Sequence, residues 1–84
     1  MIHVDLGEEI NRRGMWRWRV TRYGLEGKSK RPLQDACRAL RRAGINPNAT
    51  VGLFRGRLDP EGRPSPDTVC LVGEGVPNEN KGET

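Results

Sequence analysis

The first alternation of apolar and polar positions comes at the start of the chain, where Ile2, Val4 and Leu6 are separated by His3 and Asp5. A period of two is the signature of a strand buried on one face. Residues 7–14 are polar and read as a loop. A second alternation follows, with Trp16, Trp18 and Val20 on one side and Arg17, Arg19 and Thr21 on the other. Residues 23–27 carry two glycines and read as a turn between strands, with 28–30 as a short third strand or a lead-in to the next element.

The period then changes. Leu33, Ala36, Cys37, Leu40 and Ala43 recur at helical spacing, so a helix with one apolar stripe is expected over residues 32–43. Pro32 suits the first helical position, where its missing N–H costs nothing. Gly44 can adopt the left-handed conformation that ends a helix, and Ile45 can fold back onto the last turn. This arrangement leaves Arg38, Arg41 and Arg42 on the outer face. After a turn at Asn46-Pro47-Asn48, residues 50–55 and 68–72 read as two more strands, joined by a Gly- and Pro-rich loop over 56–67. From Gly73 onward the periodicity stops. The expected domain is therefore 1–73, with 74–84 as a disordered tail. One helix among four or five strands predicts an α+β fold, a two-layer sandwich whose antiparallel sheet carries the helix on one face, in the order β-β-(β)-α-β-β.

Composition narrows the function. The 84 residues suffice for one small core, and hydrophobic residues at 33% against charged residues at 31% still permit folding. No apolar run approaches the roughly 18 residues of a membrane span, and the opening residues lack the pattern of a signal peptide. A cytoplasmic location in a host cell is expected, with no membrane partner. Cys37 and Cys70 are the only cysteines and His3 the only histidine. That set is too poor for a four-ligand zinc site, so no metal and no cofactor are expected. Both cysteines occupy apolar positions of predicted elements and are expected to be reduced and buried. No nucleophile–base motif and no phosphate-cradling glycine pattern occurs. A domain of this size also has little volume for a deep pocket. The expectation is a protein without enzymatic activity, without catalytic residues and without a small-molecule substrate.

Charge changes the picture most. The net charge of +4 conceals an asymmetry. Residues 11–57 hold thirteen of the fifteen basic residues and only two acids, Glu26 and Asp35, whereas both ends are acidic. Twelve of the fifteen are arginine, whose planar fork matches carboxylate and phosphate. The candidate partner-binding residues are Arg17, Arg19, Arg38, Arg41, Arg42, Arg55 and Arg57. On the predicted fold they need not share one surface. Trp16-Arg17-Trp18-Arg19 also admits a base-stacking platform, although the same aromatics are what a core needs.

The stretch Lys28-Ser29-Lys30-Arg31-Pro32-Leu33-Gln34-Asp35-Ala36-Cys37-Arg38-Ala39-Leu40, with the Gly44-Ile45-Asn46-Pro47 exit and Val51-Gly52-Leu53-Phe54-Arg55, resembles short uncharacterised proteins of proteobacterial prophages and mobile elements. The resemblance covers residues 16–55, and its motifs are structural: an aromatic strand, a Ser-x-x-Pro entry, an Asp-Ala-x-Arg-x-Leu helix and a following strand. No binding or catalytic residues come with it. What it implies is a phage-type accessory protein, a group that includes anti-CRISPR inhibitors. The expected function is then inhibition of a host protein or ribonucleoprotein complex through the arginine-rich surface. The alternative is a small nucleic-acid-binding regulatory protein that contacts phosphates with the same arginines.

Overall fold

Helix α1 (Pro32–Arg42) lies where its sequence signals place it. Pro32 stands at its first position, and Ser29 Oγ accepts a hydrogen bond from the Arg31 N–H at 2.8 Å just ahead of it. At the far end Gly44 adopts φ +86°, and two bonds close the turn: Gly44 N–H to Arg41 O and Ile45 N–H to Leu40 O, both 3.0 Å. This is the Schellman arrangement, which satisfies carbonyls the helix would otherwise leave bare. Ala36, Cys37 and Leu40 are fully buried beneath the helix.

The computed structural model describes residues 1–10 and 13–75. Besides α1 it contains β1 (Ile2–Ile10), β2 (Met15–Val20), a 3-10 turn (Thr21–Tyr23), β3 (Leu25–Ser29), β4 (Thr50–Phe54), β5 (Thr68–Leu71) and a helical turn, α2 (Val72–Gly75). The strands form one sheet in the order β3-β2-β1-β4-β5. The α+β class and the helix on one sheet face are as expected. The sheet is mixed, however, not antiparallel: β1 and β4 run parallel, with Ile2 beside Val51 and Val4 beside Leu53. Helix α1 causes this by carrying the chain from the β3 edge back across the sheet. Strand β4 therefore enters beside β1 in the same direction, as a helical crossover requires.

Three boundaries also differ. Residues 7–10 continue β1 instead of forming a loop, because a bulge between Leu6 and Glu9 absorbs one extra residue and restores pairing at Glu9–Trp16. The turn between β2 and β3 is Thr21 to Gly24, so Gly27 lies inside a strand, opposite Trp18. A Cβ at position 27 would sit 2.7 Å from the Trp18 ring, so only glycine fits beneath the indole. Val72 begins a helical turn instead of ending β5, and the expected tail from 74 loses Glu74 and Gly75 to that turn. The remaining tail residues, 76–84, lie outside the described residues.

One core results. Ile2, Val4, Trp18, Val20, Val51 and Leu53 from the sheet meet Ala36, Cys37, Leu40 and Val72. Cys37 and Cys70 are free thiols within hydrogen-bonding reach of each other, Cys37 buried and Cys70 half-buried. Burial and the neighbouring Cys70 push the Cys37 thiol up to about 12.

Candidate functional site

Two of the four aromatic side chains are buried. Trp18 is 6% exposed in the helix-side core, where its indole N–H has no partner. Phe54 is also 6% exposed, stacked on His3 with ring centroids 4.0 Å apart. Trp16 is half-buried with the Arg55 guanidinium 5.5 Å above its ring. Tyr23 is exposed at the β2–β3 turn under the Arg22 guanidinium. The pair of tryptophans needed for a stacking platform is therefore absent from the solvent face.

The sequence-predicted arginines fall into three groups. Arg55 and Arg57 converge on Asp67, with Nε–Oδ2 and Nε–Oδ1 separations of 2.7 and 3.2 Å. The carboxylate is only 17% exposed, and the longer contact is a charge contact that leaves Oδ1 without a hydrogen bond. Together with Trp16 these residues tie the root of the 56–67 loop to the sheet. Arg38, Arg41 and Arg42 lie along the helix, with Arg41 and Arg42 exposed and Arg38 half-buried. Arg17 and Arg19 lie on the sheet face away from α1, exposed beside the exposed Asp5, Glu26 and Lys28.

That sheet face is itself divided. Over β4 it is covered: a Cβ at Gly52 would meet Met1 Sδ at 2.6 Å, the Phe54 ring at 3.0 Å and Pro66 at 3.3 Å. Over β1, β2 and β3 it is open, and a shallow depression of about 340 Å³ is lined there by Asp5, Gly7, Arg17, Arg19, Glu26 and Lys28, among others. The ladder sets the charges in fixed pairs. Arg19 stands opposite Glu26 and forms an ion pair at 3.3 Å, with both side chains about two-thirds exposed. Arg17 stands opposite Lys28. Directly opposed like charges destabilise a sheet pair, so this arrangement runs against stability. Gly7, on the β1 bulge, leaves the space over Arg17 clear; a Cβ there would lie 3.3 Å from Arg17 Cβ.

Residues 13–31 contain seven exposed cations (Arg13, Arg17, Arg19, Arg22, Lys28, Lys30 and Arg31) against Glu26, and the neighbouring β1 adds three exposed acids, Asp5, Glu8 and Glu9. Sequence reasoning found Arg17 and Arg19 from their alternation. It missed Lys28 as their partner, because the register of β3 depends on the Thr21–Gly24 turn.

No group of three or more His, Cys, Asp or Glu among the described residues is placed to hold a metal ion. No helix among them is long and apolar enough to cross a membrane. Comparison with protein-family models, curated proteins and solved structures returns no match.

Proposed function

We propose that this is a non-enzymatic binding protein that holds nucleic acid against the open face of β2 and β3. The observation that carries the reading is the Arg17–Lys28 pair: two exposed cations fixed opposite each other on neighbouring strands. An anion between them would turn a repulsive pair into a clamp, and phosphate is one of the two anions that an arginine fork matches. The five further exposed cations of residues 13–31 extend the same field beyond the pair. The cytoplasm of a host cell is the compartment where a protein of this kind meets its ligand.

Titration of a fluorescent oligonucleotide at increasing salt tests the reading. Each neutralised phosphate steepens the log–log slope by about 0.9 for duplex DNA. Replacing Arg17 and Lys28 together by alanine should therefore flatten the slope by about 1.8. Absence of binding at about 50 mM salt, or a slope indifferent to both substitutions, would remove the proposal.

The second reading is the phage-type, anti-CRISPR-like inhibitor that docks on a host protein or ribonucleoprotein complex. Its support is the separate exposure of Arg41 and Arg42 on the helix, remote from the sheet face and suited to interface carboxylates. A protein partner retained after nuclease treatment and released by Arg41→Glu with Arg42→Glu would favour it over the first.

A further inference from the structure

We infer that the nucleic acid held by this face is double-stranded DNA, entered on its major-groove side by the β2–β3 ribbon. The inference rests on the nucleic-acid reading above and specifies its ligand. Three observations separate the duplex from the alternatives.

The first is the lack of stacking surface. Single strands are gripped by aromatic faces on which unpaired bases lie. Trp18 and Phe54 are buried and Trp16 is half-buried beneath Arg55. Tyr23 is exposed but stands at the turn, beyond the open face, with the Arg22 guanidinium 5.5 Å from its ring centroid. The open face therefore offers charge and hydrogen bonds but no platform.

The second is shape. Strand β3 is an edge of the five-stranded sheet, so the β2–β3 pair has one side free and is joined to β1 on the other. Strands lie about 4.8 Å apart, and a two-stranded ribbon fits the B-form major groove of about 12 Å. On the other side of the ribbon, β1 carries its bulge between Leu6 and Glu9, opposite the Trp16–Trp18 stretch of β2. Bulges bend and twist a strand, and Gly7 at this one bears no side chain. The major groove of duplex RNA is too deep and narrow for side chains to read, so base-edge contacts from this face are open only to DNA.

The third is the mixture of signs. A surface built only to track phosphates would gain nothing from carboxylates, yet Asp5 and Glu26 stand among the cations. In the major groove arginine pairs with guanine O6 and N7, and a carboxylate accepts from cytosine N4. The Arg19–Glu26 ion pair is exposed, so little stability is lost when its partners turn to base edges.

Polarisation titrations with labelled random-sequence DNA duplex, RNA duplex and single-stranded DNA, at about 100 mM salt, give the first arm of the test. The DNA duplex should bind roughly tenfold or more tighter than either alternative. Dimethyl sulfate supplies the second arm, because it methylates guanine N7 in the major groove and adenine N3 in the minor groove. With protein bound, N7 should be protected and N3 should react as in free DNA. Arg17→Ala and Lys28→Ala, each checked for a native circular-dichroism spectrum, should weaken duplex binding and restore N7 methylation. Equal or tighter binding of single strand or RNA duplex, or protection confined to N3, would overturn the inference and leave the nucleic-acid reading standing. No binding to any of the three would remove both.

Discussion

Trp18 lies directly across Gly27 on the neighbouring strand, so close that a single added methyl would stand 2.7 Å from the indole. The helix-side core and the exposed ribbon thus meet at one cross-strand pair. Gly27→Ala should push the indole out of place and destabilise the fold by about 1–3 kcal/mol, the usual cost of overpacking. A urea titration followed by tryptophan fluorescence would show a lower midpoint together with a red-shifted native spectrum. An unchanged midpoint would mean that the indole has room the packing denies.

Stability and binding should part company at Lys28. Lys28→Glu replaces a like-charge pair with an ion pair opposite Arg17 and should stabilise the fold by about 0.2–1 kcal/mol. The same change should reduce nucleic-acid binding. Thermal melting and a polarisation titration on one preparation check both halves. A variant that melts lower would contradict the strand register.

Much of this fold is written in local pattern. The helix is announced by Pro32, by the stripe from Leu33 to Ala43, and by Gly44, all of which act within one turn of where they stand. The strand faces are announced by alternation, as in Trp16-Arg17-Trp18-Arg19. What alternation does not record is which strand lies beside which, so the parallel pairing of Ile2 with Val51 was beyond reach. Gly27 misled for a physical reason: a glycine needed for close packing looks the same as a glycine needed for a turn. The site was half legible. Arg17 and Arg19 were visible as the polar side of a strand. Arg55 and Arg57 were visible as candidate residues, but their shared contact with Asp67, at least ten positions further along, was not.

Leu40 is fully buried at the centre of the helix stripe. Leu40→Ala should cost about 2–5 kcal/mol, since the cavity would be walled by both the sheet and the helical turn at Val72. A denaturant melt measures this directly, and a loss below about 1 kcal/mol would place Leu40 outside the core.

The thiol of Cys37 predicts a response to alkali. Its folded-state pKa is raised from 9.0 to about 12 by burial, so the folded state keeps a proton that the unfolded state gives up earlier. The resulting stability is intact below about pH 9 and is lost as the pH climbs toward about 12, with a slope of at most about 1.4 kcal/mol per pH unit. Urea midpoints from about pH 8 to about pH 11 should fall more steeply for the natural chain than for Cys37→Ala. Parallel curves would show that the thiol ionises alike in both states.

Strand β1 is the only one that touches both halves of the sheet, with β2 and β3 on one side and β4 and β5 on the other. On one side Ile10 lies beside Met15, five positions on, whereas on the other Ile2 must wait 49 positions for Val51. Each half has its own hairpin, and the two become one object when β1 is laid between them. Such distant pairing slows folding, because the intervening chain must be closed into a loop first. The seam of the sheet is thus a strand held by a near partner on one side and a distant one on the other, and shortening it would leave two unjoined hairpins.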